Sequence, residues 1–317
     1  MILVTGGTGF IGSLVIKRLL EKGKSVLAIK RTSSVVPEEL RYKANLFWLD
    51  ADITDYFSLE DVFTQVRQVY HCAGMVSFNS ADKRELMDVN VGGTTHIVNL
   101  CLEKKARLVY LSSVAALGEG KDNELINEKS KWEWHPKLSS YSISKFEAER
   151  EVWRGIAEGL DAVIVNPTIV IGADNSSNTA RLFSLVEKGL KYYPTGSTGF
   201  VDVEDLAAIM IRLMESPDIS GTNFLINHVN LSYKEFFQQY ARVVKKDPPS
   251  IPTNRWLLAF AWRTQTLLSH LKIMKPKLTK EIARSSGKKH VYSNEKILNT
   301  LQYSFKPFHL SLEEISQ

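Results

Sequence analysis

Tyr141 and Lys145 stand four residues apart in the sequence. On a helix, that spacing puts both side chains on one face, with the ammonium near the phenol. A nearby positive charge favours the phenolate and lowers the pKa of tyrosine from its ordinary value of about 10. A tyrosine shifted in this way can exchange a proton with a substrate oxygen. The spacing therefore predicts Tyr141 as a general acid and base, with Lys145 as its electrostatic partner.

Ser112 and Ser113 follow an apolar run at residues 108–111. The run predicts a buried strand, and ligands bind at the carboxyl ends of such strands in parallel sheets. A hydroxyl group there can hydrogen-bond a substrate oxygen and stabilise the charge that develops on it. A serine in this position can equally well cap a turn or a helix. The two serines therefore indicate a catalytic site only in combination with the tyrosine and lysine pair.

Three glycines, Gly6, Gly9 and Gly12, punctuate the segment at residues 5–12, between an apolar run at residues 1–4 and a helical pattern of apolar residues. Glycine allows a tight turn and lets the backbone approach a pyrophosphate closely. The start of the helix presents free N–H groups and a partial positive charge to the same phosphates. The strand, the turn and the helix together predict a dinucleotide site.

The end of the second apolar run, at residues 25–29, bears on the choice between NAD and NADP. NAD sites place an acidic residue there for the ribose hydroxyls. This chain has Lys30 and Arg31, with no acidic residue up to Ser34. A guanidinium can bind a 2′-phosphate with paired hydrogen bonds, whereas a carboxylate would repel it. The pair predicts NADP(H) over NAD(H), with two solvated surface cations as the alternative.

The elements that must position these residues alternate along the chain. Apolar runs predict strands at residues 1–4, 25–29, 46–49, 66–72, 108–111 and 162–165. Helical spacing falls between them, at residues 14–20, around Leu59, and at residues 86–102 and 141–153. Strands that alternate with helices indicate an α/β fold with a doubly wound, parallel Rossmann sheet.

After Pro167 the pattern loosens, with a predicted helix at residues 203–214 and mostly helical spacing from Leu231 onward. We interpret this part as a smaller, mostly helical C-terminal substrate lobe over the carboxyl ends of the strands. The expected division is a dinucleotide-binding Rossmann domain at residues 1–166, with a return segment at about 199–222, and a substrate-binding lobe at residues 167–198 and 223–317.

Composition narrows the classes of partner. The chain has 317 residues, of which 44% are hydrophobic and 24% charged, and a formal net charge of +5. Its basic residues are scattered, which argues against nucleic acid and suits an anionic small molecule. Cys72 and Cys101 have no metal-ligand spacing, so we expect no metal and a reducing cytoplasm. The first predicted strand starts at Met1, so no signal peptide is expected, and no apolar run is long enough to span a membrane.

Together, these motifs make the chain resemble the extended branch of the short-chain dehydrogenase/reductase superfamily, in the NAD-dependent epimerase/dehydratase family. It is most similar to the dihydroflavonol-4-reductase-like and 3β-hydroxysteroid-dehydrogenase-like groups, and the resemblance is strongest up to Asp205. The resemblance implies that Ser113, Tyr141 and Lys145 are the catalytic residues. Ser113 is chosen from the serine pair because the family's serine stands five residues before the glycine that corresponds to Gly118.

Segments after the third, fourth and sixth predicted strands match the family's contacts with adenine, with the riboses and with nicotinamide. With the glycine-rich turn and the two basic residues, the resemblance implies a cofactor site formed by Gly6, Gly9, Phe10, Ile11, Gly12, Lys30, Arg31, Asp52, Ile53, Ala73, Gly74, Ser112, Tyr141, Lys145, Pro167, Thr168 and Val170. Many relatives have arginine before the proline, where this chain has Asn166, and no role is carried over to it.

The resemblance implies an NADP(H)-dependent oxidoreductase that transfers a hydride between nicotinamide and a carbonyl or secondary alcohol. Met75, Phe78 and Ala115 follow strand ends and predict a small, largely apolar substrate. Two alternatives stay open: a nucleotide-sugar epimerase or dehydratase that retains NAD, and a non-catalytic dinucleotide sensor. The basic pair after the second strand counts against the first, and the intact Ser, Tyr and Lys set counts against the second.

Two further expectations concern surfaces. The apolar stretch at residues 256–271 fits a lobe helix that closes over the substrate, with a helix lying in a membrane interface as the alternative. The resemblance also implies a homodimer as one arrangement, in which the helices predicted at residues 86–102 and 141–153 pair with those of a second copy.

Overall fold

The computed structural model describes residues 1–118, 120, 123–173, 179–253 and 284–316. The apolar stretch at residues 256–271 lies outside these ranges, and so does the prediction made for it. No helix within the described ranges is both long enough and apolar enough to cross a membrane.

The strands run, in chain order, β1 Ile2–Thr5, β2 Val26–Lys30, β3 Leu46–Asp50, β4 Gln68–His71, β5 Arg107–Leu111, β6 Leu125–Ile126, β7 Ala162–Pro167, β8 Ile169–Ile171, β9 Tyr192–Tyr193, β10 Ser197–Asp202, β11 Thr222–Ile226, β12 Val229–Ser232, β13 Ile251–Pro252 and β14 Val291–Tyr292. The helices are α1 Phe10–Glu21, α2 Tyr56–Glu60, α3 Lys83–Leu86, α4 Gly93–Lys104, α5 Ser140–Ala157, α6 Ala180–Glu187, α7 Val203–Met214, α8 Tyr233–Val243, α9 Glu295–Leu301 and α10 Phe308–Ile315. A π-helical segment, Met87–Gly92, joins α3 to α4.

A seven-stranded sheet in the order β11-β7-β5-β4-β1-β2-β3 forms the centre of the molecule. All its neighbouring strands are parallel. Every residue of β5 and β7 is buried, as expected for parallel strands covered on both faces. One apolar cluster packs α1, α7 and α9 on one face, and a second packs α4 and α5 on the other. The predicted doubly wound Rossmann fold is therefore confirmed.

The sheet extends further along the chain than the sequence predicts. The expected boundary assigned everything from residue 223 to the substrate lobe, but β11 pairs with β7 over its whole length, from Thr222 opposite Val163 to Ile226 opposite Pro167. The side chains of Phe224, Leu225 and Ile226 are almost fully buried. Residues 223–226 therefore belong to the central sheet, because β7 would otherwise leave a row of unpaired backbone groups at a buried edge.

The described residues beyond β7 form short strands as well as helices. β10 pairs in parallel with β8 and antiparallel with β12, which makes a separate three-stranded sheet. An aromatic cluster joins this sheet to α6 and α8, with the rings of Phe200 and Phe236 stacked at a centroid distance of 4.3 Å.

Helix α5 is the element that carries the tyrosine and lysine pair. Ser139 caps it, since its hydroxyl accepts a hydrogen bond from the backbone N–H of Ser142 at 2.9 Å. Buried Ala148 and Val152 fix one face of the helix against α4 and the sheet. Gly155 permits close packing here, because a Cβ atom would lie 2.6 Å from Val98. The register of α5 relative to the strand ends is thereby fixed.

Candidate active site

The glycine-rich turn connects β1 to α1 in a conformation that side chains would block. Gly6 has a φ of +67°, and the Gly9 N–H donates to its carbonyl oxygen at 3.0 Å. A Cβ atom on Gly12 would lie 2.3 Å from that same oxygen, and one on Gly6 would lie 2.6 Å from the Ala73 nitrogen. Within the described part of the chain, no side chain caps the start of α1. The turn therefore leaves the first N–H groups of the helix to an anion such as a pyrophosphate.

A cavity of about 960 Å³ opens beside this turn, at the carboxyl ends of the strands. That volume suits a large cofactor. Its walls bring together many of the predicted cofactor residues: Gly6, Gly9, Lys30, Arg31, Asp52, Ile53, Ala73 and Gly74. Met75, predicted to touch the substrate, also lies in this wall. Sequence reasoning missed the other wall residues, which include Thr8, Ser34, Thr54, Glu85, Asp88 and His96. Thr8 and Ser34 adjoin the two predicted motifs, whereas nothing in the pattern marks the residues from α3 to α4.

Several predicted cofactor residues lie outside the walls of this cavity. Phe10 sits beside Gly172, and Ile11 packs on the core. The Thr168 hydroxyl donates to the Ile226 carbonyl at 3.3 Å, next to Pro167 at the end of β7. Val170 pairs with Val201 in the small sheet. These residues make contacts within the protein, and their predicted roles toward the cofactor remain predictions.

The two basic residues after β2 have different surroundings. Lys30 forms an ion pair with Asp50, its register partner on β3. Arg31 is exposed at the cavity wall beside Ser34, and no carboxylate pairs with it among the described residues. The guanidinium of Arg31 is therefore the cation that is available to an anion in this part of the cavity.

The predicted catalytic side chains meet where α5 passes the end of β5. Ser113 starts a single 3₁₀ turn, Val114–Ala116, and its oxygen accepts from the Ala115 N–H at 3.2 Å. The Ser142 hydroxyl donates to the Ala115 carbonyl at 2.8 Å and ties this turn to α5. Ser113 is thus a capping serine, and it lies close enough to the phenol of Tyr141 to affect the pKa of that group.

The pKa of Tyr141 shifts in the opposite direction to the one that the spacing predicts. Burial among protein atoms raises the pKa of Tyr141, although part of its ring is accessible, and hydrogen bonding with Ser113 opposes the rise. Lys145 is not among the causes of this shift, and its ammonium donates to the Leu111 carbonyl at 3.2 Å. Burial lowers the pKa of Lys145 itself to about 8, against the opposing charge of Glu149.

Glu149 is a buried residue of this region that the sequence analysis missed. It lies on α5 one turn beyond Lys145, so extending the helical spacing by one step would have found it. Ser112 and Asn166 donate to its Oε2 atom, each at 2.6 Å. Burial raises the pKa of Glu149, and these hydrogen bonds oppose that effect. The hydroxyl of Ser112 is therefore engaged by Glu149, whereas the prediction assigned it to the cofactor.

A second set of buried polar groups fixes the end of β4 beneath the cavity. The His71 ring lies between two hydroxyls, with Thr5 Oγ1 at 2.6 Å from Nδ1 and Thr94 Oγ1 at 3.1 Å from Nε2. Thr5 Oγ1 also accepts from the Ala73 N–H at 3.1 Å. Burial and the charge of Lys145 lower the pKa of His71 to about 3, so the ring is neutral. The chain segment that forms the cavity floor is thereby held by neutral hydrogen bonds.

Comparisons with known proteins agree with this geometry. The sequence profile of the NAD dependent epimerase/dehydratase family matches residues 2–227. The chain is 34% identical over 248 residues to the tetraketide alpha-pyrone reductase 2 of Arabidopsis thaliana, which covers 69% of this chain and 75% of that protein. It is 29% identical over 277 residues to a putative dihydroflavonol 4-reductase of Synechocystis sp., with 84% of this chain and 80% of that protein covered.

Solved structures show the same fold over almost the full length. The crystal structure of gox2253 superposes with a TM-score of 0.84 at 26% identity, covering 99% of this chain and 96% of that one. The UDP-glucose 4-epimerase of Thermus thermophilus, in complex with NAD, superposes with a TM-score of 0.76 at 21% identity, over 99% and 97% of the two chains. The epimerase likeness bears on fold alone. With the family profile spanning most of the sequence, the chain belongs to the NAD dependent epimerase/dehydratase family and is an oxidoreductase-type enzyme of the extended short-chain dehydrogenase/reductase group.

Proposed function

We propose that the protein is an NADP(H)-dependent oxidoreductase that interconverts a carbonyl and a secondary alcohol, with Tyr141 as general acid and base. The observation that carries this proposal is that Ser113 lies near Tyr141 at the carboxyl end of β5, while the Lys145 ammonium lies between the Leu111 carbonyl and Gly74 in the cavity wall. The names of the relatives, a tetraketide alpha-pyrone reductase and a putative dihydroflavonol 4-reductase, support the reductive direction.

The glycine-rich turn and the cavity fit a dinucleotide. The space that a Cβ atom on Gly6 or Gly12 would fill is taken by backbone, so only glycine fits there, and the N–H groups at the start of α1 would hold the pyrophosphate of a dinucleotide. The cavity then passes Arg31 and reaches Asp52 and Ile53, which favours them as contacts of the adenosine half. When bound, the dinucleotide supplies the hydride, and the chain's residues supply the proton and the positioning.

Preference for NADP(H) is proposed from Arg31. Arg31 lies in the cavity wall beside Ser34. The neighbouring Lys30 already forms an ion pair with Asp50. A guanidinium that has no carboxylate partner among the described residues is suited to a 2′-phosphate, which it can bind with two hydrogen bonds. A cofactor without that phosphate would leave Arg31 without this interaction.

The chain's residues divide the work on the substrate oxygen. In the reductive direction the carbonyl carbon accepts the hydride, and the oxygen accepts the phenolic proton of Tyr141. The Ser113 hydroxyl hydrogen-bonds the same oxygen and stabilises the negative charge that develops on it. The phenol of Tyr141, whose pKa burial raises above its ordinary value of about 10, is protonated at neutral pH, as a proton donor must be. Lys145 supplies a positive charge on the same face of α5.

The proposed substrate is largely apolar. The Phe78 ring lies against Tyr141, and Met75 and Ala115 flank the same strand ends. Trp132, in contrast, stacks on Phe146 at a centroid distance of 3.9 Å, so its ring packs on the protein's own helix.

The test is Tyr141→Phe, which removes only the phenolic oxygen. Turnover of an aldehyde and ketone panel with NADPH should fall by about a thousandfold or more, while NADPH affinity, measured by fluorescence titration, stays near the parent value. Tyr42→Phe, at a fully exposed tyrosine, is the matched control and should keep parent activity. Unchanged turnover in Tyr141→Phe contradicts the proposal. Binding of NADPH without its consumption by the parent protein favours a sensor, and sugar interconversion without net consumption favours an epimerase.

A further inference from the structure

A buried carboxyl group stands directly behind the proposed catalytic residues. Glu149 is only 5% exposed and lies on α5 one turn beyond Lys145 and two turns beyond Tyr141. A charged group at such a depth is destabilising unless polar partners surround it. Its presence on the buried face of α5 therefore needs an account that the mechanism above does not supply.

The hydrogen bonds around Glu149 favour the ionised form of its carboxyl group and oppose the rise in pKa that burial causes. Ser112 and Asn166 donate to Oε2 at 2.6 Å, and the Trp153 indole N–H donates to Oε1 at 3.2 Å. All three partners donate, and donors favour the charged form of a carboxyl group. Lys145 adds a positive charge on the same helix face. The carboxylate is thus held by a complete set of partners at the end of β5.

Asn166 extends this set to the catalytic serine. Its Nδ2 atom donates both to Glu149 and, at 3.1 Å, to the carbonyl oxygen of Ser113. Its Oδ1 atom is buried and has no partner among the described residues. The amide is therefore oriented by what it donates to. Glu149 fixes the hydroxyl of Ser112 directly and the backbone of Ser113 through this amide.

We propose that Glu149 is a positioning residue of this site, which fixes the Ser112–Ser113 turn through hydrogen bonds and holds a carboxylate charge one helical turn from Lys145. The inference deepens the proposed function and rests on it for the catalytic role of Ser113 and Lys145. The hydrogen bonds and the charge arrangement themselves belong to the folded chain and can be measured without turnover.

The other groups near Lys145 are neutral around physiological pH. His71 and Cys72 lie at the end of β4, and burial moves the pKa of His71 to about 3 and that of Cys72 to about 12. Tyr110 of β5 lies under the ammonium, and burial raises its pKa. Tyr141, on α5 itself, also has a raised pKa. Glu149 is therefore the charge that opposes the loss of the Lys145 proton on burial.

The experiment compares two variants that separate charge from shape. Glu149→Gln keeps the size of the side chain but removes the charge, whereas Glu149→Asp keeps the charge on a shorter side chain. The pKa of Lys145 is followed by NMR of the full-length protein labelled with ¹³C at the lysine Cε, and the Lys145→Arg spectrum identifies the resonance. The proposal expects the pKa to fall by about one unit or more in Glu149→Gln and to fall less in Glu149→Asp.

Reductive kinetics give the second measurement. Both Tyr141 and Lys145 must be protonated, so the loss of a neighbouring negative charge should move the alkaline limb of the kcat profile to lower pH in Glu149→Gln. At its pH optimum kcat should fall by about tenfold, with the Kd for NADPH and the thermal unfolding midpoint near the parent values. Glu151→Gln is the control, because Glu151 pairs with Arg154 outside this site, and it should reproduce the parent.

An unchanged Lys145 pKa in Glu149→Gln overturns the inference, and so does a larger fall in Glu149→Asp than in Glu149→Gln, since packing would then be the cause. An absence of turnover in the parent protein counts against the proposed function instead. The NMR titration still decides whether Glu149 sets the charge of Lys145 in that case.

Discussion

The ring of Phe78 faces the ring of Tyr141, with centroids 5.5 Å apart and planes inclined at 60°. Phe78 precedes α3, so an apolar side chain from the β4 side of the sheet meets the proposed proton donor on α5. Aromatic pairs of this geometry hold each other in place, and they also offer a flat apolar surface. Phe78 thus belongs both to the positioning of Tyr141 and to the wall of the proposed substrate site.

Replacing Phe78 by alanine should therefore weaken the binding of an apolar carbonyl substrate. We expect KM for such a substrate to rise by about tenfold, with a smaller fall in kcat, because a large apolar contact is lost. Steady-state kinetics with saturating NADPH measure both constants. Phe57→Ala is the control, since Phe57 is 80% exposed and far along the chain from this pair. Equal KM values for the parent and Phe78→Ala would remove Phe78 from the substrate wall.

The exposed guanidinium of Arg31 leads to a prediction on cofactor choice. In Arg31→Ala the Kd for NADPH should rise by about tenfold or more, since paired hydrogen bonds to a phosphate are lost, and the Kd for NADH should change little. Fluorescence titration with both nucleotides measures the ratio. Arg41→Ala is the matched control, because Arg41 is another exposed arginine of the β2–β3 connection, whose Nε donates to the Val36 carbonyl. Equal losses for both nucleotides would contradict recognition of the 2′-phosphate by Arg31.

The close approach at the glycine-rich turn predicts the effect of one methyl group. In Gly12→Ala the new Cβ would lie 2.3 Å from the Gly6 carbonyl oxygen, so the turn must open. NADPH affinity should fall by at least about tenfold, because the N–H groups at the start of α1 no longer share one orientation. Gly287→Ala is the control, since its Cβ would meet the Arg284 carbonyl at an ordinary 3.7 Å. Isothermal titration compares the two, and parent-like affinity in Gly12→Ala would count against this dinucleotide site.

The neutral His71 ring predicts how stability depends on pH. Burial holds its folded-state pKa at about 3, below the ordinary value of 6.5. The unfolded chain therefore binds a proton that the folded chain excludes between these values, and stability falls as pH falls through this window. His71→Gln should reduce the slope of the unfolding free energy in the window by about 1.4 kcal/mol per pH unit.

Urea unfolding at several pH values measures that slope. The control is His309→Gln, at a histidine that is exposed to solvent, and it should reproduce the parent curve. Parallel curves for the parent and His71→Gln would mean that His71 takes up its proton alike in the folded and the unfolded chain.

The parts of the fold that the sequence predicts are those with strong local signals. The first five strands and β7 each contain an apolar run that the sequence displays, and α7 has the predicted bounds, Val203–Met214. The small sheet of β8, β10 and β12 was not predicted, because β8 and β12 are short and partly exposed and because its pairing joins segments that are separated in the chain. The sheet to which a strand belongs depends on which strand it pairs with. The residues of β11 alone therefore could not assign it to the central sheet.

The site shows the same division between local and long-range information. The spacing of Tyr141 and Lys145 and the glycine-rich turn are local, and the structure has both on the predicted elements. The ion pair of Lys30 with Asp50 depends on the register of two strands, which the sequence does not display. Contacts of Glu149 with Ser112 and Asn166 likewise join three separate elements.

The late position of β11 in the chain has a consequence for how the polypeptide is made. During synthesis, β7 leaves the ribosome before α7 and β11, and its outer row of N–H and C=O groups lacks a partner until Ile226 has emerged. A fragment that stops near residue 166 would keep this row open, and open edges of apolar strands recruit other copies. We therefore expect a fragment that ends near residue 166 to associate with other copies more readily than a chain that continues through β11.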